Sequence, residues 1–274
     1  MSLLNFKNAW NTLVNPTVRL SVDFPFSPAR SLKLYALSLV FFVIGSALPV
    51  GIFLLALRLM PTDGFLSKLL MAPGAEGLLL TIMSLATFAC GFGLQLTCVR
   101  RALHKEGLKM RDVISFNLKS LQGSWLKAVG FGILTFAVGL AAEQLMGLVY
   151  TVPSSDPTAD FIKTLGGSAL FLMAALAMIG PVMEEIIFRG FLFNVLRSSL
   201  SRKFGLAFTT MVSLFGSAFV FGVMHMNLPA LPFYMVLGAV YAEAYRRSGS
   251  LVVPVIAHVL NNSMIVVALL LAHS

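Results

Sequence analysis

The feature that most constrains this chain is a succession of long apolar runs, at roughly 32–58, 76–99, 125–150, 165–196, 205–225, 229–245 and 251–272. About 20 apolar residues at 1.5 Å each cross the roughly 30 Å hydrocarbon core of a bilayer as a helix, which satisfies every backbone N–H and C=O from within. Seven such runs in 274 residues leave little chain for anything else. Composition agrees: 58% of residues are hydrophobic and only 11% are charged, against about a quarter charged in soluble domains. The expected fold is all-α, a polytopic transmembrane helical bundle of about seven to eight membrane segments, with residues 1–274 forming a single membrane domain. The fourth run is over-long and is interrupted by Gly180-Pro181.

The net charge of +9 would point to nucleic acid in a soluble chain. Here topology explains it, and no nucleic-acid partner is expected. If every run spans once, sixteen of the 20 bases fall on one side, in the N-terminal stretch, residues 100–127, and the turns at 197–203 and 246–247. Arg58, Lys68 and Lys163 fall on the other side, with Asp63, Glu76, Asp156 and Asp160. By the positive-inside rule the N-terminus is cytoplasmic and the C-terminus outside. The reading is a multi-pass integral protein of a plasma or inner membrane, with the lipid bilayer as a partner and the oligomeric state open. Residues 1–31 place Lys7, Arg19 and Arg30 among Phe6, Trp10, Phe24 and Phe26, as an interfacial segment would. No signal peptide is evident. The loop 151–164 reads as a turn-rich connection between spans. Cys90 and Cys98 lie in one apolar run and read as small hydrophobes, with no disulfide or metal pattern.

Within the apolar C-terminal half, Met183-Glu184-Glu185-Ile186-Ile187-Phe188-Arg189 sets two carboxylates and an arginine where each costs about 2.5–3.5 kcal/mol at mid-bilayer. On a helix Glu185 and Arg189 are i and i+4, acid first, the favoured order for an ion pair. Glu184 is turned about 100° away and lacks that partner. An unpaired acid in an apolar setting is a candidate for chemistry. Phe221 and His225 share a helical face at the end of the fifth run, as do His258 and Asn262 inside the seventh. Taken singly, each has a structural reading as a packing or headgroup-facing residue. Asn261 reads as interhelical hydrogen-bonding glue.

Counting from the turn near Phe204 puts Glu184 and His225 about 20 residues, or roughly 30 Å, from that turn on an antiparallel pair. His258, only some ten residues past the turn after the sixth run, does not reach that depth on upright helices. Tilted or broken segments are needed, and Gly180-Pro181 and Asn227-Leu228-Pro229 are the places for them.

Glu-Glu-x-x-x-Arg, Phe-x-x-x-His and His-x-x-x-Asn, in that order on apolar segments, resemble the motif set of the CAAX-protease and bacteriocin-processing family. Its members are intramembrane glutamic endopeptidases related to the type II CAAX prenyl protease, the Ras-converting enzyme. The resemblance covers Glu184 to Asn262, within motif-bearing helices over 165–272, and leaves residues 1–164 without a signature. It implies Glu184 as general base, His225 sharing and orienting a water, and His258 and Asn262 donating to the oxyanion. Glu185 and Arg189 would then be a structural ion pair, and no cofactor or metal would be needed. The substrate would be a membrane protein or peptide precursor. These roles suit the residue types, since hydrolysis without a covalent intermediate needs a proton acceptor, a held water and oxyanion donors.

Rival readings stand beside this one. Two Glu, two His and an Asn could hold zinc, although no His-Glu-x-x-His helix is present. Ser217 lacks the following glycine of a rhomboid-type Gly-x-Ser-Gly. A non-catalytic scaffold or immunity protein of the same fold would not need Glu184, His225, His258 and Asn262 together. A proton-coupled transporter would use buried acids and histidines, and Glu143 and Glu243 also lie in apolar runs. Glu243 could equally pair with Arg246 or Arg247, and Glu143 could sit near the outer interface.

Overall fold

The computed structural model describes residues 26–61, 64–70, 75–150, 169–201 and 203–273, and among these no strand occurs. The segment with Lys7, Trp10 and Arg19, and the loop 151–164, lie outside the described residues. The helices are α1 (Pro28–Leu59), α2 (Phe65–Leu70), α3 (Ala75–Lys105), α4 (Met110–Val113), α5 (Trp125–Val149), α6 (Ala169–Glu185), α7 (Asn194–Ser201), α8 (Leu206–Met224), α9 (Leu231–Ser248) and α10 (Val252–His273). A π-helical segment, Ile186–Phe193, joins α6 to α7. Among the described residues each apolar run is thus occupied mainly by helix. Four stretches among the described residues are long and apolar enough to cross a bilayer: Ala29–Leu59, Gly77–Lys105, Trp125–Val149 and Ala207–Met224. Val252–Ala268 is a shorter apolar helix. The protein is an all-α integral membrane bundle.

The chain forms two compact units: Lys33–Gly107 with Ser154–Ile179, and Met1–Leu32 with Leu108–Pro153 and Gly180–Ser274. In the first, α1 and α3 approach at glycines. A Cβ on Gly91 would fall 2.3 Å from the Ser46 Oγ, and one on Gly45 2.5 Å from the Cys90 carbonyl oxygen. Small residues at a crossing let membrane helices pack closely, and Phe42 meets Phe92 edge-on beside it at 5.0 Å. Much of α1 faces outward with large apolar side chains such as Val43 and Ile52, which lipid, unlike water, does not penalise. Cys90 and Cys98 are free thiols.

The second unit holds the polar motifs. Its helices start and stop where local chemistry dictates. Gln122 and Gly123 both take positive φ, and Ser124 then caps α5 by accepting from the Lys127 N–H. Gly249 (φ 64°) closes α9 by donating to the Tyr245 carbonyl at 2.8 Å. At this end the Leu251 N–H donates to the Ser115 carbonyl at 2.8 Å, and the Ser120 hydroxyl donates to the Ser248 carbonyl. Leu118, Leu121, Ala128, Ala244, Val252 and Val253 bury together there. Along α5, Gly132 admits Ile256 of α10, whose Cγ2 lies 2.6 Å from where a glycine Cβ would be.

The expected break at Gly180-Pro181 is not there. Helix α6 runs through Pro181, and the irregularity comes a turn and a half later, in the π segment. Pro181 forfeits one hydrogen bond to the carbonyl four residues back, a loss that membrane helices tolerate when neighbouring groups or local adjustments compensate. The second expected break is present. Helix α8 ends at Met224 and α9 begins at Leu231, with Met226 left-handed (φ 54°) and Asn227 Oδ1 accepting from the Ala230 N–H.

Candidate active site

Glu185 and Arg189 are both fully buried. The Arg189 Nη1 donates to Glu185 Oε1 at 2.8 Å, across the start of the π segment. Its Nη2 donates to the Gly238 carbonyl of α9 at 3.0 Å. The guanidinium also lies over the rings of Phe221 (4.5 Å) and Tyr241 (5.4 Å), a cation–π setting that gains strength when desolvated. One arginine therefore ties the π segment to α8 and α9.

The π segment has its own support. The Asn194 side-chain amide, buried, donates to the Gly190 carbonyl at 2.9 Å, to the Arg189 carbonyl at 3.3 Å and to the Tyr245 hydroxyl at 2.9 Å. A π turn displaces carbonyls from the i→i−4 ladder, and such turns gather at functional sites. Here a side-chain amide donates to the carbonyl of Arg189, the residue that carries the guanidinium, and to that of Gly190 beside it.

His258 is brought to the same acid. Its Nδ1 lies 2.9 Å from Glu185 Oε1. Counting about 1.5 Å per residue puts Glu185 about 24 Å above Ser201 and His258 about 9 Å above Val252. Their side chains nevertheless touch, so these segments are neither upright nor level. A carboxylate oxygen can only accept, so Nδ1 carries the proton and Nε2 is the free ring atom. Nε2 lies 3.8 Å from Glu184 Oε2, and that oxygen is buried without a hydrogen-bond partner among the described residues. The Glu184 side chain itself is 23% exposed. Two adjacent acids are thus differently employed: Glu185 is engaged through Oε1 by both Arg189 and His258, its Oε2 having no hydrogen-bond partner among the described residues, while Glu184 meets only His258, at 3.8 Å.

His225 is the residue that caps the C-terminal end of α8. Its Nδ1 donates to the Phe221 carbonyl at 2.8 Å, which again leaves Nε2 available, and its ring stacks on Tyr234 at 4.0 Å. Phe221 stands between the histidines, its ring 4.6 Å from that of His225 and 5.8 Å from that of His258. Asn262 is half-buried one turn beyond His258, while Asn261 is buried. The structure thus gathers Glu184, Glu185, Arg189 and His258 directly and holds His225 one aromatic ring away. Asn262 makes no hydrogen bond to them.

Three participants carry no motif. Tyr241 lies flat on His258 (ring centroids 4.7 Å apart, planes at 22°), and its hydroxyl is buried without a partner among the described residues. Gly238 contributes its carbonyl, and Asn194 its amide. A sequence signal for α9 existed: Gly238, Tyr241 and Tyr245 recur at i, i+3 and i+7, one helical face. Elsewhere Glu243 pairs with both Arg246 (2.6 Å) and Arg247 (2.5 Å). Among the described residues no three His, Cys, Asp or Glu side chains are arranged to hold a metal ion.

Fold and site together define an integral membrane protein with an acid–arginine–histidine cluster built into its C-terminal helices. Residues 166–264 match the family described as type II CAAX prenyl endopeptidase Rce1-like. Over that stretch the chain is similar to this family, in keeping with the resemblance carried by the three motifs. It is 28% identical over 169 residues to "Putative membrane peptidase YdiL" of Bacillus subtilis, covering 62% of this chain and 64% of that protein. It is 24% identical over 147 residues to "Membrane-embedded CAAX protease MroQ" of Staphylococcus aureus, covering 52% of this chain and 59% of that one. The chain spans less than two thirds of the length of either relative. No solved structure matches it.

Proposed function

We propose that the protein is an intramembrane endopeptidase that cleaves a membrane-associated protein or peptide precursor by a metal-free, glutamate-activated water. The observation that carries this reading is the buried, unpartnered Oε2 of Glu184, 3.8 Å from His258 Nε2, beside a Glu185 already held by Arg189 and His258. The family likeness over residues 166–264 and the peptidase and protease names of the two relatives support it.

In the proposed reaction a water donates one hydrogen bond to Glu184 Oε2 and the other to the free Nε2 of His225. Glu184 takes a proton as the water oxygen bonds to the peptide carbonyl carbon. The carbonyl oxygen becomes an oxyanion and accepts from the Asn262 amide and from His258. With Nδ1 already donating to Glu185, His258 donates from Nε2 only as imidazolium, a cation that the Glu185 carboxylate balances. Glu184 then passes its proton to the amide nitrogen, and the C–N bond breaks.

The test is cleavage of candidate precursors in reconstituted membranes by wild type and Glu184→Gln, with and without a strong chelator. Cleavage that needs Glu184 and survives the chelator is the expected result. Turnover by Glu184→Gln would remove the general-base role. Loss with chelator and recovery with zinc would make the same side chains metal ligands.

A further inference from the structure

Away from this cluster, a cavity of about 470 Å³ lies between α5, α8 and α9, within the range of about 300–1,000 Å³ typical of small-molecule sites. Phe131 and Val138 of α5, Leu214 of α8 and Ala239 of α9 contribute apolar wall. Its charged lining residues are Glu243 and Arg247, close to the C-terminal end of α9. Val138 is half exposed, so the cavity opens to the surroundings of the bundle, which in a membrane are acyl chains.

It runs from one end of these helices to about the middle of a bilayer. Arg247 lies one residue from the end of α9, and that end adjoins the start of α5 through the Ser120–Ser248 and Leu251–Ser115 hydrogen bonds. Phe131 and Val138 are six and thirteen residues past Trp125, about 9 and 20 Å inward along α5, where half a hydrocarbon core is about 15 Å. Trp125, largely exposed, marks the interface at that end. There Glu243 bonds both Arg246 and Arg247, leaving the trio one positive charge in excess.

We propose that this cavity binds an anionic phospholipid, with an acyl chain along the apolar wall and the phosphate against Arg246 and Arg247. The site needs no protease activity, so it stands or falls separately from the function proposed above.

The test uses the full chain in phosphatidylcholine vesicles with a trace of phosphatidylglycerol or phosphatidylcholine carrying a nitroxide on the acyl chain. The motionally restricted fraction is read by electron spin resonance. Wild type is expected to restrict phosphatidylglycerol about fivefold more strongly than phosphatidylcholine, the factor that about 1 kcal/mol per basic group represents. Arg247→Gln should shrink that preference, and Ala239→Phe, which fills the wall and leaves the ion trio intact, should abolish it. Thermal unfolding of each variant verifies folding. Equal restriction of both lipids by wild type would overturn the proposal. So would a preference that Ala239→Phe leaves unchanged, since the anionic lipid would then sit elsewhere on the basic face.

Discussion

If Arg189 is the counter-charge that lets Glu185 stay ionised inside the bundle, removing either should cost far more than a surface pair would. Both side chains are fully buried, and the guanidinium bonds Glu185 at 2.8 Å and the Gly238 carbonyl at 3.0 Å. Arg189→Met leaves the carboxylate with only His258 and the carbonyl with no donor from this side chain. Breaking a buried pair from one side costs about 3–5 kcal/mol, against a total stability of about 5–15 kcal/mol. At about 2–4 °C per kcal/mol for a chain of this size class, the melting temperature should fall by roughly 6–20 °C. Glu185→Gln keeps the shape but strands the guanidinium, so it should cost about 2–4 kcal/mol, softened by the Phe221 and Tyr241 ring faces. The double variant should be more stable than the sum of the singles predicts, by about 1–3 kcal/mol of coupling. Reversible unfolding in bicelles gives all four corners of the cycle. Singles below about 1 kcal/mol with strictly additive effects would refute the reasoning, because an uncompensated buried charge cannot be that cheap.

Other perturbations follow from the packing. Asn194→Ala takes the amide from the Gly190 and Arg189 carbonyls and from Tyr245, and should destabilise by about 1–3 kcal/mol in the same unfolding assay. Gly132→Ala would drive a methyl into Ile256, whose Cγ2 lies 2.6 Å from the new atom, and should cost about 1–3 kcal/mol as overpacking. Glu184→Gln, by contrast, removes no hydrogen bond from its buried oxygen and should leave thermal unfolding within about 0.5 kcal/mol of wild type while ending cleavage.

How far the chain could be read in advance differs from element to element. The helices were legible because a bilayer demands long apolar runs, and those survive in a bare string of residues. The Glu185–Arg189 contact was legible because it depends only on helical phase, and it persists although the intervening backbone is π rather than α. Gly180-Pro181 misled for the opposite reason: proline's missing donor is a local fact, but whether it breaks a helix depends on neighbours. The contact of His258 with Glu185 was beyond counting, since it depends on tilts that no spacing records. Tyr241, Gly238 and Asn194 were passed over because each looks ordinary in an apolar run. Only the fold reveals that one stacks on a histidine, one lends a carbonyl to an arginine, and one donates to carbonyls of the π segment.

The Arg189 tie also has a mechanical consequence. It rivets the π segment to α9 and, through Glu185, to α10, with two aromatic rings as washers. In the proposed reaction, prising those pieces apart to admit a polypeptide would separate buried opposite charges, at a cost of about 3–5 kcal/mol. His225 has no such fastening. It sits at the C-terminal end of α8, bonded to the Phe221 carbonyl and stacked on Tyr234, just before left-handed Met226 and a short turn. In the proposed reaction, a chain that reaches Glu184 past His225 has no buried ion pair to separate.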